Sequence, residues 1–253
     1  MSPDVAAKRL RVVFCGSRDI GAFCLHELLV RPAEFEVVAI YGHADDVTTD
    51  RFPFLPITAV RTPPPELRSI NEPEARPWQG QPIDALISVR YEHRIHANVL
   101  GLVPPERALN LHMGQLPQYA GSASVAHAIL NDERVCEATL HVMTPNLDDG
   151  PVFSTVGVFN SPSRTAGAIH ADLVRAAARM FADNIAAILR GHRTPRPMST
   201  DGRQFYRRDA LRHELDFSRD GAYVKRQIRA LLYPGAPPPF LTLDGERYEV
   251  RKA

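Results

Sequence analysis

Residues 10–41, LRVVFCGSRDIGAFCLHELLVRPAEFEVVAIY, decide the fold class of this chain. Two short apolar runs, Leu10–Cys15 and Phe35–Tyr41, have the length and composition of buried strands. Between them, Ile20, Cys24 and Leu28 recur at the spacing of one face of a helix. Because parallel strands need a crossover connection, usually a helix, this stretch predicts a strand–helix–strand unit of an α/β protein.

The same alternation continues along the chain. Ile83–Val89, Ala108–His112 and Val152–Val158 are further apolar runs of strand length. A long amphipathic helix is predicted over Ala166–Leu189, and it stops at Gly191. Strands that alternate with helices favour a Rossmann-like, mostly parallel sheet that is covered on both faces.

The chain is predicted to form two domains. The first, residues 1–191, contains the sheet, and the second, residues 199–253, is a small α/β subdomain. The stretch between them contains two prolines and is typical of a linker. A helix is predicted near Ala222–Leu232, followed by a hairpin with strands Phe240–Leu243 and Tyr248–Val250. Asp244-Gly245 lies between these strands and is a strong hairpin signal.

Two segments of the first domain are predicted to be turns or surface loops. Gly16 and Gly21 follow the first strand, but a dinucleotide-binding turn needs a third glycine and an acidic residue after the second strand. The second strand ends in Ile40-Tyr41-Gly42-His43, which contains no acid, so a tight turn into the helix is favoured over NAD binding. Thr62–Pro82 is rich in Pro and Glu and contains Trp78, and we expect it to be a surface excursion.

Composition and charge describe an ordinary globular chain. Hydrophobic residues make up 44% and charged residues 23%, and 30 Lys+Arg against 29 Asp+Glu give a net charge of +1. This balance provides no strong field for nucleic acid or membrane, and neither a signal peptide nor a membrane span is evident. Cys15, Cys24 and Cys136 have no metal-binding spacing. We expect a cytoplasmic protein with reduced cysteines, no metal site and no nucleic-acid or membrane partner; a homodimer stays open.

Asn110 and His112 are the strongest candidates for chemistry. They are two residues apart on a predicted strand, so they project from the same face, next to a loop shaped by Gly and Pro. Ligands of open parallel sheets bind at such strand ends. An amide can hold an oxyanion, an imidazole can transfer a proton, and a carboxylate can orient the imidazole. Asp148 and Asp149 both offer that carboxylate, and a pair of solvated polar residues is the plainer alternative.

The segment Asn110–Gly121, NLHMGQLPQYAG, resembles the signature of the folate-dependent formyltransferases. Ala138–Val152 and Ile228–Ala236 resemble other parts of that family, so the likeness covers nearly the whole chain. It implies an enzyme that transfers a formyl group from 10-formyltetrahydrofolate to an amine, without a metal. Asn110 would then bind the formyl oxygen, His112 would act as general acid and base, and Asp148 would hold His112. The family aspartate stands three residues before the proline of an Asp-x-Gly-Pro turn, which selects Asp148 over Asp149.

The resemblance also implies where the folate binds. In the family, backbone groups of two loops contact the pteridine ring, and the matching positions here are Val89, Arg90, Tyr91, Arg94, Ile95 and Leu147. His141 lies on the strand before the aspartate loop, and it is expected either to support the site or to belong to the core.

The prediction of the acceptor depends on positions at which the chain departs from the family. Met113-Gly114-Gln115 stands where the family usually has Pro-Ser-Leu, and Ala120 replaces a common Arg. The missing Arg, the low net charge, and the few residues left after the sheet for a further tRNA-binding domain all disfavour tRNA as acceptor. The tail looks most like that of the sugar N-formyltransferases. A nucleotide-linked deoxyamino sugar is therefore the predicted acceptor, bound by Gly114, Gln115, Tyr206, Arg207 and Arg208.

Three other functions stay open at this point. A formyltransferase could act on an amino acid or on a hydroxylamine of the hydroxyornithine type. A formyltetrahydrofolate hydrolase would use the same three residues with water in place of the amine. A non-catalytic folate- or nucleotide-binding module would need only the sheet.

Overall fold

The computed structural model describes residues 8–42, 69–73, 76, 78 and 80–251. Its strands are β1 (Leu10–Gly16), β2 (Phe35–Tyr41), β3 (Ala85–Val89), β4 (Ala108–His112), β5 (Ala120–Gly121), β6 (Val135–Val142), β7 (Val152–Phe159), β8 (Phe205–Tyr206), β9 (Phe240–Leu243) and β10 (Glu246–Glu249). Six of them form one sheet in the order β2-β1-β3-β4-β6-β7. β1 is parallel to both β2 and β3, and β3 is parallel to β4. The predicted α/β fold with a mostly parallel sheet is confirmed.

Helices connect the strands. They are α1 (Arg18–Leu29), α2 (Ala97–Leu100), α3 (Ser124–Leu130), α4 (Ala166–Leu189) and α5 (Gly221–Leu231). The predicted bounds of α4 are those observed, those of α5 differ by one residue at each end, and α1 contains Ile20, Cys24 and Leu28 as predicted. Helix α3 was missed because it has only seven residues and starts after Ala123, a left-handed residue that offers no side-chain cap.

The described chain divides into two compact units that interleave along the sequence. The first comprises Met1–His112, Leu140–Ser154 and Ala178–Pro197, and the second comprises Met113–Thr139, Thr155–Ala177 and Met198–Ala253. The boundary falls within β6, β7 and α4. The predicted division into a domain of residues 1–191 and a small subdomain of residues 199–253 stays a prediction.

The core of the first unit includes residues that the sequence analysis placed on the surface. Ile70 and Trp78 are 0% and 5% exposed, and the Trp78 ring meets Tyr41 edge to face at 5.9 Å between centroids. The prediction of a surface excursion is therefore wrong at these two positions, where apolar burial outweighs the polar composition of the segment. Residues 62–68 of that segment lie outside the described residues.

The second unit contains the predicted hairpin and an unpredicted strand pair. β9 and β10 pair antiparallel, and Asp244 and Gly245 both have positive φ, as a two-residue hairpin turn requires. β5 pairs with β8 over two residues of each strand. At Gly121 a Cβ would lie 2.2 Å from the carbonyl oxygen of Tyr206, so only glycine permits this approach.

Within the described ranges, no helix combines the length and the apolar character that a membrane crossing demands. Those same ranges contain no group of His, Cys, Asp and Glu arranged to bind a metal ion. The cytoplasmic location and the homodimer stay predictions from the sequence.

Candidate active site

Asn110 and His112 lie at the carboxyl end of β4, in the middle of the sheet. Asn110 stands opposite Ser88 in the register between β4 and β3, and Leu111 stands opposite Val89. The His112 side chain is only 9% exposed, and the apolar residues that alternate with the pair, Leu109 and Leu111, are buried. The period-two pattern of this strand therefore separates a polar face, which carries the candidate site, from an apolar face in the core.

Asp148 reaches these residues from the loop between β6 and β7. Its backbone is left-handed, with φ 49°, a conformation that non-glycine residues adopt at some cost. Two residues later, a Cβ on Gly150 would lie 1.9 Å from the carbonyl oxygen of Val142. The loop therefore turns tightly against the end of β6, and this turn directs the Asp148 carboxylate back toward β4.

Asp148 and His112 form the expected pair. Oδ1 of Asp148 lies 3.5 Å from Nδ1 of His112, and the Asp148 side chain is only 11% exposed. A carboxylate beside Nδ1 favours the tautomer that carries its proton on Nδ1 and a lone pair on Nε2. That tautomer is the one able to accept a proton from a reacting group at Nε2.

Asn110 completes the arrangement and brings in His141. Nδ2 of Asn110 lies 3.5 Å from Oδ1 of Asp148 and 3.1 Å from Nε2 of His141. Nε2 of His141 is also 3.8 Å from Oδ1 of Asp148. Burial lowers the pKa of His141 to about 4, although the nearby Asp148 carboxylate acts in the opposite direction. His141 is therefore neutral near pH 7, and it is both a core residue and a neighbour of the site.

Five of the predicted folate-binding residues lie at or just after the end of β3, and the sixth, Leu147, lies in the loop between β6 and β7. Val89 and Ile95 are buried, Arg90 and Tyr91 are half-buried, and Arg94 and Leu147 are exposed. The hydroxyl of Ser17 donates to the carbonyl of Arg90 over 2.6 Å. The Arg94 guanidinium donates to the carbonyl of Pro145, in the loop that carries Asp148. The two predicted folate loops are thus bonded to each other in the first unit.

The sequence analysis missed Asn71, which holds one of these loops in place. Its Nδ2 donates to the carbonyl of Arg94 over 2.7 Å, and its Oδ1 accepts from the amide of His96 over 2.9 Å. An asparagine within a Pro- and Glu-rich stretch carries no sequence signal for such a contact, because its partners lie more than twenty residues away.

The residues predicted to bind the acceptor all lie in the second unit, whereas the three candidate catalytic residues lie in the first. Gly114 and Gln115 line a small pocket of about 10 Å³, together with Tyr119, Ser124, Val125, Ala128, Val135, Cys136 and Glu137. The carbonyl of Gly114 accepts from the Thr139 hydroxyl over 2.8 Å, which fixes this loop on β6.

Tyr206 is the last residue of β8, the partner strand of β5, and Arg207 and Arg208 follow it. The Tyr206 ring is nearly parallel to that of Tyr119, with centroids 5.2 Å apart, and its hydroxyl donates to Gln204 over 2.6 Å. Arg207 is exposed and pairs with Asp209, and the Arg208 side chain is exposed. Tyr206 therefore has a structural role of its own, and Arg207 and Arg208 present their charges to solvent.

Comparison with known proteins identifies the family. The formyl transferase family pattern matches residues 25–185, which is more than half of the chain. The chain belongs to the formyl transferase family. It is 31% identical over 258 residues to the methionyl-tRNA formyltransferase of Acidothermus cellulolyticus, covering 94% of this chain and 74% of that protein.

Solved structures of formyltransferases share the fold. An N-formyltransferase from Helicobacter canadensis, in complex with folinic acid and dTDP-3-aminofucose, superposes with a TM-score of 0.72 at 15% identity, covering 94% of this chain and 85% of that chain. A sugar N-formyltransferase from Shewanella sp FDAARGOS_354 gives 0.76 at 14% identity, covering 96% and 97%. Identities this low show the fold alone. This fold agrees with the family match.

The tight turn at Gly150 gives a first testable prediction for this formyltransferase. Gly150→Ala would force a methyl group against the Val142 carbonyl, so the loop must shift and move Asp148 away from His112. Misplacement of a catalytic group by about 1 Å costs on the order of a hundredfold in rate, and we expect kcat to fall by about that factor. The measurement is steady-state kinetics beside a thermal unfolding curve.

Gly101→Ala is the matched control for this substitution. Gly101 ends α2 with ordinary helical angles, and an added Cβ would lie 3.5 Å from its nearest neighbour, the carbonyl oxygen of Ala97. This variant is expected to keep wild-type kcat. A folded Gly150→Ala enzyme with wild-type kcat would show that the loop position is unimportant for turnover.

Proposed function

We propose that this protein is an N-formyltransferase that moves a formyl group from 10-formyltetrahydrofolate to the amino group of a nucleotide-linked deoxyamino sugar. The observation that carries the proposal is the convergence of Asn110, His112 and Asp148, each within 3.5 Å of another at the end of β4. An amide donor, a proton-transferring imidazole and a carboxylate that orients it are the groups that acyl transfer to an amine requires.

Each residue has a distinct part in this proposal. The folate supplies the formyl group on a nitrogen that leaves as an amine. Nδ2 of Asn110 donates to the formyl oxygen as that oxygen gains negative charge. Nε2 of His112 accepts the proton that the attacking amine loses, and later returns it to the departing nitrogen. Asp148 stabilises the imidazolium formed in between, because its carboxylate lies beside Nδ1.

The protein forms no covalent bond to the formyl group in this scheme, since the acceptor amine is itself the nucleophile. An amine attacks only in its uncharged form. The low exposure of His112 and Asp148, 9% and 11%, favours that form, because a site with little water disfavours an ammonium ion. The new C–N bond to the acceptor forms first, and the C–N bond to the folate then breaks as the oxyanion collapses and the departing nitrogen takes up its proton.

The residues at the donor site fit a folate. Its flat ring has an apolar face and a polar edge, and the site offers the exposed side chain of Leu147 beside the backbone of two loops, while Val89 and Ile95 are buried. The hydrogen bond from Arg94 to Pro145 holds these loops together. Val89, Arg90, Tyr91, Arg94, Ile95 and Leu147 are accordingly the proposed donor-binding residues.

Asn71 gives a test of this donor site. Asn71→Ala removes both hydrogen bonds that hold the backbone at Arg94 and His96. With about 1 kcal/mol lost for each of the two bonds, the KM for 10-formyltetrahydrofolate is expected to rise by up to about thirtyfold, with kcat changed less than about twofold. Initial rates at varied donor concentration measure both constants.

Asn98→Ala serves as the control, because Asn98 is exposed on α2 in the same unit. It is expected to leave both constants unchanged. If Asn71→Ala leaves the donor KM at the wild-type value, the segment between Val89 and Ile95 does not bind the folate.

The acceptor assignment rests on two kinds of support. The Helicobacter canadensis neighbour was solved with dTDP-3-aminofucose. Its fold matches that of this chain over 94% of the present sequence. The exposed guanidinium of Arg208 and the Arg207–Asp209 pair lie in the second unit, where they can bind a diphosphate.

Methionyl-tRNA is the second candidate acceptor, because the 31% identical relative from Acidothermus cellulolyticus is a methionyl-tRNA formyltransferase. A net charge of +1 disfavours it, since tRNA binding depends on a basic surface. Arg207 and Arg208 could bind phosphates of either acceptor, so only substrate tests can separate the two.

A panel of acceptors tests the assignment. The protein is incubated with 10-formyltetrahydrofolate and, separately, dTDP-linked 3- and 4-amino sugars, methionyl-tRNA, hydroxyornithine or no acceptor. We expect folate release to depend on an amino-sugar nucleotide. Dependence on methionyl-tRNA or hydroxyornithine would replace the proposed acceptor, and formate production without any acceptor would identify a hydrolase.

A further inference from the structure

His141 contacts the candidate site through only one of its ring nitrogens. Its Nδ1 lies 2.8 Å from the backbone carbonyl oxygen of Val142, and a carbonyl can only accept. Nδ1 must therefore carry the proton. A neutral imidazole has a single N–H, so Nε2 carries a lone pair and can only accept. The ring is 2% exposed, and its burial keeps it in the neutral state.

This tautomer determines how the Asn110 carboxamide is oriented. Only Nδ2 of Asn110 can donate to Nε2 of His141, at 3.1 Å, whereas the reverse orientation would bring Oδ1 against a lone pair. The Asp148 carboxylate, 3.5 Å from Nδ2, adds a second acceptor on the same side. Both neighbours therefore require the nitrogen of the carboxamide to face them.

We propose that His141 is a positioning residue of the formyl transfer, which fixes the Asn110 carboxamide so that an N–H is presented to the formyl oxygen. The inference rests on the proposed function. Nδ2 has two hydrogens; the shorter bond to His141 uses one of them. The other, whose contact with Asp148 is long at 3.5 Å, is left to donate to the formyl oxygen as charge develops there, without rotation of the carboxamide.

The groups that surround His141 agree with this role. Asp148 and Asp149 are the carboxylates whose charges act on the ring, and His112 is the other imidazole. Asp148 belongs to the loop after β6, and His112 belongs to β4, so the ring lies among the groups that it would organise. Burial lowers the pKa of His141, which favours the neutral ring that keeps an acceptor at Nε2.

Two amide substitutions separate the ring nitrogens of His141. In His141→Gln the side-chain amide reaches the place of Nε2 and can accept from Asn110. In His141→Asn the amide reaches only the place of Nδ1, so the bond to Val142 can survive while that to Asn110 is lost. We expect kcat to fall about tenfold in His141→Asn, the usual effect of one lost hydrogen bond, and to recover most of that loss in His141→Gln. The KM for 10-formyltetrahydrofolate should stay within about twofold of wild type in both.

A double-mutant cycle with Asn110→Ala shows whether the effect passes through Asn110. The His141→Asn loss is expected to disappear in the Asn110→Ala background, because nothing remains there to position. An equal loss in both backgrounds, or a His141→Asn enzyme with wild-type kcat, would overturn the inference. A wild-type protein that transfers no formyl group to any acceptor would instead overturn the proposed function.

If His141→Asn does not fold, nitrogen-15 NMR of histidine-labelled wild-type protein decides the question. The His141 ring is expected to carry its proton on Nδ1 alone at pH 7. A proton on Nε2 would remove the acceptor on which the orientation of Asn110 depends, and would contradict the inference.

Discussion

His112→Asn is expected to lower kcat for formyl transfer by about 10²–10⁴-fold, the usual contribution of a general acid–base residue. The reason is that Nε2 of His112 is the proposed acceptor of the proton from the attacking amine, with Asp148 at 3.5 Å from Nδ1 to stabilise the resulting charge. Asparagine fills part of the ring volume and can keep a hydrogen bond near Nδ1, but it has no group that titrates. Steady-state kinetics with saturating donor and acceptor measure the effect.

His192→Asn is the matched control for this substitution, since His192 is exposed after the end of α4. It should keep wild-type turnover. A His112→Asn protein that unfolds at the wild-type temperature and turns over at the wild-type rate would remove His112 from the mechanism.

Asn110→Ala is expected to lower kcat by about 10²–10³-fold. Removing one donor from an oxyanion site costs about 2.7–4 kcal/mol of transition-state stabilisation in a comparable enzyme site. The substitution also leaves Nε2 of His141 without its 3.1 Å donor in a buried position, so a small loss of stability accompanies the loss of rate.

Comparing kcat with KM separates the two effects of Asn110→Ala. The loss should appear in kcat and kcat/KM alike, because the bond to the formyl oxygen strengthens only in the transition state. Asn98→Ala, on the exposed side of α2, provides the comparison. A rise in donor KM with unchanged kcat would make Asn110 a binding residue and leave the oxyanion without its proposed donor.

The sequence was enough to predict the strand that carries the site. Asn110 and His112 lie on one face of β4 because side chains alternate along a strand, and the flanking leucines show which face is buried. These are local properties, and they hold whatever the strand packs against. The bounds of β4 and of α4 follow from the same kind of pattern.

The contacts among the site residues could not be predicted from spacing alone. Asp148 approaches His112 because its own backbone is left-handed and Gly150 lies against Val142. His141 meets Asn110 across 31 positions because β4 and β6 are neighbours in the sheet with one particular register. Both facts depend on tertiary packing, so the periodicity left His141 open between the site and the core.

Composition gives a wrong prediction of exposure where polar residues surround a few buried ones. Ile70 and Trp78 stand among prolines and glutamates, yet they are buried in the first unit. Asn71, next to Ile70, then lies where it can bond the backbone at Arg94 and His96. Burial of Ile70 thus positions the polar side chain of Asn71, which belongs to no recognisable motif.

The most direct test of the central claim follows the formyl carbon. Wild-type protein is incubated with 10-formyltetrahydrofolate labelled with carbon-13 in the formyl group and with a dTDP-linked amino sugar, and the products are read by NMR. We expect the label to appear as an amide on the sugar nitrogen, with one tetrahydrofolate released for each formyl group transferred, and we expect His112→Asn to abolish nearly all of it. Label that stays on the folate, or that leaves as formate whether or not the amino sugar is present, would contradict it.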